Sequence, residues 1–121
     1  MSETKKESYK IPIGNLRVAI FEEDGVWFAQ GLEVDYFAQG ENINDVQYRF
    51  YYGLKATTEL HLEAHGSLGG MLKVAPQEAW DDFYGLEPTC VTYSVITFPF
   101  PYSRIEYFMR VSTTKPVQED V

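Results

Sequence analysis

Alternating apolar and polar side chains predict a β-hairpin near the start of the chain. Across residues 16–21 strongly apolar residues recur at every second position, which is the pattern of a strand with one buried face. Asp24 and Gly25 follow, and this pair suits a type I′ turn because both central positions of such a turn need positive φ. We therefore predict a second strand over residues 26–30, paired antiparallel with the first.

A long helix is predicted after a short third strand at residues 36–39. Apolar residues return at helical spacing across residues 43–60, which is typical of a helix packed on one side. Asn42 suits the N-cap, and Asp45 stands three positions later, where a capping box places an acid. Gly66 is a typical residue for the end of a helix. The opening of the chain is thus predicted as β-β-β-α.

The second half of the chain predicts one more helix and two more strands. Residues 76–84 begin with proline and precede a glycine, which favours a short helix anchored by Trp80 and Phe83. The patterns at residues 91–98 and 105–111 predict strands. The stretch before this helix, residues 71–75, is predicted to be extended. Together with the first half, this order of elements indicates the α+β class.

Length and composition favour one domain. The chain has 121 residues, of which 45% are hydrophobic and 16% aromatic, enough for a packed core. We place the domain at residues 11–112 and expect the polar segments 1–10 and 113–121 to be flexible. The first ten residues lack the apolar centre of a secretory signal, and no apolar run approaches about 18 residues. With a single cysteine, Cys90, these features predict a cytoplasmic protein that does not enter membranes.

Charge narrows the choice of partner. The net charge is −8, and residues 18–48 contain no Lys or Arg. A region of one sign repels phosphate backbones and attracts basic proteins, so direct nucleic-acid binding is not expected. A second interpretation is that these side chains only keep the chain soluble. The acids of this region are Glu22, Glu23, Asp24, Glu33, Asp35, Glu41 and Asp45.

The search for catalytic chemistry yields only weak candidates. The chain contains no phosphate loop, dinucleotide glycine motif, nucleophile elbow or zinc-protease motif. His61 and His65 share a helical face and could hold a metal, but Glu63 between them points elsewhere, so helix capping is favoured. Asp81 and Asp82 diverge by about 100° on a helix and cannot converge on one substrate. We therefore predict no catalytic, cofactor-binding or metal-binding residue, and no enzyme.

Residues 26–46 carry an ordered set of features. An aromatic strand leads through a Leu-Glu loop to a short strand, then to Gln39 and Gly40, to Asn42 at a helix N-cap and to Asp45 three positions on. In this order the segment resembles the core signature of HicB-like antitoxin domains, and it is similar to a stand-alone subgroup of that family. Asn42 replaces the Thr or Ser that is usual in the family and keeps its capping chemistry.

The resemblance, over residues 15–85, implies a β-β-β-α core related to a truncated RNase H fold. This core is extended by the second helix and the C-terminal pair of strands. Antitoxins of this family neutralise a small basic ribonuclease. The first strand holds no carboxylate for a nuclease metal, so nuclease activity is not implied. Residues 86–112 show no helix-turn-helix, which departs from the DNA-binding segment of many relatives.

These observations favour a non-enzymatic interaction domain of the HicB-like antitoxin type, with a small basic toxin as partner. Acidic side chains would steer the encounter and aromatic side chains would anchor it. One alternative is an acidic decoy that mimics nucleic acid, and a less favoured one is a metal-dependent enzyme that uses the two histidines. Exposed strand edges make a homo-oligomer plausible. The predicted partner-binding residues are Glu22, Trp27, Glu33, Asp35, Tyr36, Glu41, Asp45 and Tyr48.

Overall fold

A computed structural model describes residues 14–111 and has the predicted α+β architecture. Its elements are β1 (Asn15–Glu23), β2 (Val26–Gly31), β3 (Phe37–Gly40), α1 (Ile43–His65), α2 (Gln77–Tyr84), β4 (Cys90–Val95) and β5 (Arg104–Met109). Residues 71–75, predicted to be extended, form no strand. The segments 1–10 and 113–121, predicted to be flexible, lie outside the described residues.

The five strands form one mixed sheet in the order β3-β2-β1-β5-β4. β1 pairs antiparallel with β2 and parallel with β5, so the C-terminal strands continue the sheet that the N-terminal strands begin. β4 then pairs antiparallel with β5 and becomes one edge, while β3 is the other. β2 and β3 run antiparallel, so β3 ends on the same side of the sheet as the β1–β2 turn. α1 begins there as well.

Local chemistry explains the predicted turn and helix ends. Asp24 and Gly25 have φ values of 54° and 83°, as a type I′ turn requires. Asn42 caps α1 by accepting a 2.8 Å hydrogen bond from the N–H of Asp45. Gly66 ends the helix in the left-handed region, and its N–H donates to the carbonyl of Leu62. These predictions are confirmed because each depends on neighbours within a few residues.

The main core lies between α1 and one face of the sheet. Phe50 is fully buried there, with its ring edge-on to Tyr36 at 5.3 Å and to Tyr107 at 6.5 Å between centroids. The buried residues of α1 are Val46, Phe50, Leu54 and Thr58, and those of the strands beneath include Leu16, Val18, Ile20, Ala29, Ile105 and Tyr107. Burial raises the pKa of Tyr107 to about 12.

Within residues 14–111, the opposite face of the sheet is covered over its centre by α2. Phe83 of α2 is buried and packs edge-on against Phe108 of β5, with ring centroids 5.1 Å apart. Trp80 is half-buried beside the same cluster, so both predicted anchors of α2 face the sheet. Beyond α2, the outward side chains of the edge strands stay exposed, including Phe37 on β3 and Tyr93 on β4.

Candidate interaction surfaces

The eight predicted partner-binding residues fall in separate parts of the molecule. Glu22 and Trp27 pair across β1 and β2, Trp27 pairs with Gly40 on β3, and Glu41 follows directly, so three of the eight adjoin at one end of the sheet. The other five lie elsewhere or are already engaged in contacts within the protein. Glu33, Asp35 and Tyr36 follow the opposite end of β2, Asp45 caps α1, and Tyr48 is exposed farther along α1.

Glu33 is engaged inside the protein. One carboxylate oxygen accepts a 2.6 Å hydrogen bond from Nε of Arg17, and the other accepts the backbone N–H of the same residue at 2.8 Å. The Arg17 guanidinium in turn lies 5.1 Å from the ring centroid of Trp80 and 5.7 Å from that of Phe83. Glu33 thereby orients the cation on which α2 packs, and it is less available to a partner than its sequence position suggested.

Replacing Glu33 with glutamine should lower the free energy of unfolding by about 1–3 kcal/mol, because charge-assisted hydrogen bonds to Arg17 are lost. The matched control is Glu22→Gln, at an exposed residue, which should change it by less than about 0.5 kcal/mol. Urea denaturation followed by tryptophan fluorescence measures both. Equal effects of the two substitutions would contradict the structural role of Glu33.

Tyr36 and Asp45 also have internal roles. Tyr36 packs against Phe50, and its hydroxyl lies so close to Gly53 that a Cβ at residue 53 would overlap it. Asp45 accepts the N–H of Glu41 at 2.9 Å and pairs with Arg49 at 3.0 Å. The hydrogen bond from Glu41 and then the pairing with Arg49 lower the pKa of Asp45. Both residues therefore support α1.

Five carboxylates at one end of the molecule take no part in such contacts. We use "acidic end" for Glu22, Glu23, Asp24, Glu41 and Asp82. Three of them, Glu22, Glu23 and Asp82, line a cleft of about 430 Å³ between the β1–β2 hairpin and α2. Within residues 14–111 the ion pairs are Arg17–Glu33, Arg49–Asp45 and Lys55–Glu59, so none involves the acidic end.

An apolar strip of three phenylalanines adjoins this cleft. Phe21 lines the cleft itself and stacks on Phe28, with ring centroids 5.6 Å apart. Phe28 in turn stacks on Phe37 at 5.4 Å. Acid groups beside aromatic rings suit Lys or Arg, because the cation meets carboxylates and ring faces together. Sequence reasoning missed Asp82, since only the packing of α2 brings it next to Glu23.

Comparison with protein-family models, with curated proteins and with solved structures finds no match to this chain. The resemblance to HicB-like domains therefore depends on the sequence features of residues 15–85 alone, chiefly those of the segment 26–46.

A second surface lies between α1 and β4. Tyr48 and Tyr52 are exposed there, with ring centroids 4.7 Å apart. Gln47 donates a 3.1 Å hydrogen bond to the hydroxyl of Thr92, and the Tyr51 hydroxyl accepts the N–H of Thr97 at 3.2 Å. These contacts hold α1 beside β4 and leave an open groove between them.

The two histidines are close but lack a third ligand. His61 and His65 have ring centroids 4.5 Å apart near the end of α1. Across the part of the chain that the structure describes, no group of three or more His, Cys, Asp or Glu side chains could hold a metal ion. Among these same residues, neither helix has the length and apolar character needed to cross a membrane.

Proposed function

We propose that this chain is a non-enzymatic interaction domain of the HicB-like antitoxin type, which binds a small basic protein through its acidic end. The observation that carries the proposal is the cleft at that end, which the acids Glu23 and Asp82 line together with Phe21. The order β1, β2, β3, α1 and the features of residues 26–46 support the family assignment.

Electrostatics favours a cationic partner at this cleft. Along β1, Glu23 has the parity of Phe21 and points to the α2 side, whereas Glu22 has the parity of Ile20 and points to the other face. The carboxylates of Glu23 and Asp82 at the cleft repel each other, and a Lys or Arg side chain placed between them relieves that repulsion. The partly apolar walls lower the local dielectric, which strengthens each charge pair relative to bulk water. The ring of Phe21 offers a face to the same cation. A basic protein surface therefore fits this cleft in charge.

The first strand supports a binding role over nuclease chemistry. The side chains of β1 that face α1, those of Leu16, Val18 and Ile20, are apolar and fully buried. A nuclease of the RNase H type needs carboxylates gathered around a metal ion. β1 holds Glu22 and Glu23 only at its exposed end beside the turn, and within residues 14–111 no group of three or more His, Cys, Asp or Glu side chains could hold a metal ion. In this proposal the fold serves as a scaffold, and the acidic end supplies recognition.

The proposal is tested by affinity capture from source-cell lysate with matched variants. Glu23→Lys/Asp82→Lys reverses two charges at the cleft, and Glu59→Lys/Glu63→Lys makes the same net change on the far part of α1. We expect the wild-type chain and the control to retain one small basic protein at a stoichiometric level through a moderately high-salt wash. The cleft variant should retain at least about tenfold less, since two attractive charge pairs become repulsions.

Two results would overturn this proposal. Capture of a salt-labile mixture, lost equally from both variants, would favour the decoy function, because a nucleic-acid mimic binds through diffuse charge. Equal retention of a single partner by the wild type and the cleft variant would place the contact elsewhere on the molecule.

A further inference from the structure

Strand β4 has an exposed apolar side at the edge of the sheet. Val91, Tyr93 and Val95 are 40%, 51% and 64% exposed, respectively, and their side chains lie on the sheet face beyond α2. Their neighbours Thr92 and Ser94 are half-buried on the side of α1. A strand in a monomer normally turns its apolar side inward. β4 does the reverse, which is typical of a strand whose apolar side meets another molecule.

The backbone of the same three residues points out of the sheet. The N–H of Ile96 donates to the carbonyl of Ser103, which makes this pair a hydrogen-bonded one in the β4–β5 ladder. Such pairs alternate in antiparallel sheets, so the even-numbered residues of β4 bond to β5 and the odd-numbered residues face away. Val91, Tyr93 and Val95 thus present both N–H and C=O groups at the outer edge, to which no strand within residues 14–111 is paired.

The two sheet edges differ in their protection against pairing. β3 spans four residues and lies between Asp35 and Glu41, and charged, short edges discourage strand addition. β4 spans six residues and contains no proline and no charged side chain. Exposed edges of the β4 kind are templates for another strand.

Charge identifies the occupant. Residues 88–103 contain no charged side chain, although the chain as a whole carries a net charge of −8. On the neighbouring strand, Glu106 lies opposite Tyr93 and Arg104 lies opposite Val95, with its guanidinium 4.8 Å from the Tyr93 ring centroid. These two charges are of opposite sign, so this part of an otherwise acidic molecule does not select a basic partner and two acidic copies can meet there. A second copy also supplies the same apolar residues and the same unpaired backbone groups, as an isologous contact requires.

We propose that two copies of this chain pair antiparallel through the outer edges of β4, with Tyr93 opposite the partner's Tyr93. When a two-fold axis perpendicular to the sheet relates the two copies, the α1 face of one copy continues into the α1 face of the other. Odd-numbered residues of β4 must therefore lie opposite odd-numbered residues of the second copy. Centring the axis on Tyr93 places Val91 opposite the partner's Val95. This register pairs every outward N–H and C=O of the three residues, which a shift of two residues along the strand does not do.

The tyrosines of α1 extend the proposed contact. Tyr48, Tyr52 and Ser94 line one open groove beside β4, on the face opposite to the Val91, Tyr93 and Val95 side chains. A strand added at the β4 edge therefore lies beneath these rings, which gives the dimer an apolar contact on both faces. The acidic end belongs to other elements, so this proposal stands independently of the proposed function.

Light scattering of the purified chain after gel filtration tests the proposal. The wild type should have twice the 13.9 kDa mass of one chain. Tyr93→Lys places two ammonium groups opposite each other and should raise the dimer dissociation constant at least about tenfold. Phe37→Lys makes the same charge change at the β3 edge and should stay dimeric. Circular dichroism verifies that both variants fold.

A cysteine crosslink tests the register separately. In a Cys90→Ser background, Tyr93→Cys should form a disulfide-linked dimer on mild oxidation, because opposed Cα atoms of a hydrogen-bonded pair lie about 5.5 Å apart. Tyr84→Cys, at an exposed residue of α2, should not. A monomeric wild type would overturn the proposal, as would a dimer that Phe37→Lys dissociates and Tyr93→Lys does not.

Discussion

Replacing Phe50 with alanine is expected to lower the free energy of unfolding by about 3–5 kcal/mol. Phe50 is fully buried at the centre of the α1 contact and meets Tyr36 and Tyr107 edge-on. Its removal leaves a cavity between helix and sheet, and the two edge-on aromatic contacts are lost with it. The free energy of unfolding from urea denaturation measures the effect.

The control for Phe50 is Leu60→Ala on the same helix. Leu60 is 65% exposed, so its truncation should change the free energy of unfolding by less than about 0.5 kcal/mol. If Phe50→Ala were no more destabilising than Leu60→Ala, α1 would not pack on the sheet through this side chain.

Replacing Gly53 with alanine is expected to destabilise the protein by about 1–3 kcal/mol, although alanine favours helices. A methyl group at residue 53 would overlap the hydroxyl of Tyr36, which reaches α1 from the loop before β3. The ring of Tyr36 is held against Phe50 and cannot move without loosening the core. Chemical denaturation of the single variant gives the sign of the effect.

A double-mutant cycle identifies the cause of that effect. Tyr36→Phe removes the overlapping oxygen, and the next ring atom would lie 3.3 Å from the added methyl group. Gly53→Ala should therefore cost much less in the Tyr36→Phe background, with a coupling energy of about 1–3 kcal/mol. Additive effects would assign the loss to some other property of residue 53.

Sequence patterns predicted the elements of this fold better than their arrangement. The α1 ends at Asn42 and Gly66 and the turn at Asp24 follow from local hydrogen bonding and φ preferences. The parallel pairing of β1 with β5 joins Asn15 to Arg104, far apart along the chain. A hydrophobic pattern contains no information on which distant strands pair, so the mixed sheet was not predicted.

The candidate site was predicted only in part, for a related reason. A run of acids indicates a negative region but not which carboxylates have internal partners. Arg17 engages Glu33, and the start of α1 engages Asp45, while Glu22 and Glu41 are left at the surface. Asp82 joins Glu23 only through the packing of α2. The assignment of partner-binding residues stays a prediction that the lysine variants test.

The two proposed surfaces are compatible within one molecule. The acidic end belongs to the β1–β2 hairpin, the β3–α1 loop and α2, whereas the proposed pairing uses β4. A dimer through β4 would thus leave both acidic ends accessible and offer two sites to a basic partner. Such a bivalent arrangement predicts a complex with two copies of each chain.

The most direct test of the central claim is a titration of the captured partner's RNA cleavage with this chain. The proposed antitoxin function predicts that cleavage falls to background at one molar equivalent of the wild-type chain. It also predicts that Glu23→Lys/Asp82→Lys leaves cleavage unchanged at the same ratio, while Glu59→Lys/Glu63→Lys inhibits like the wild type. Cleavage that persists at excess wild-type chain, or a captured partner that cleaves no RNA, would contradict the claim.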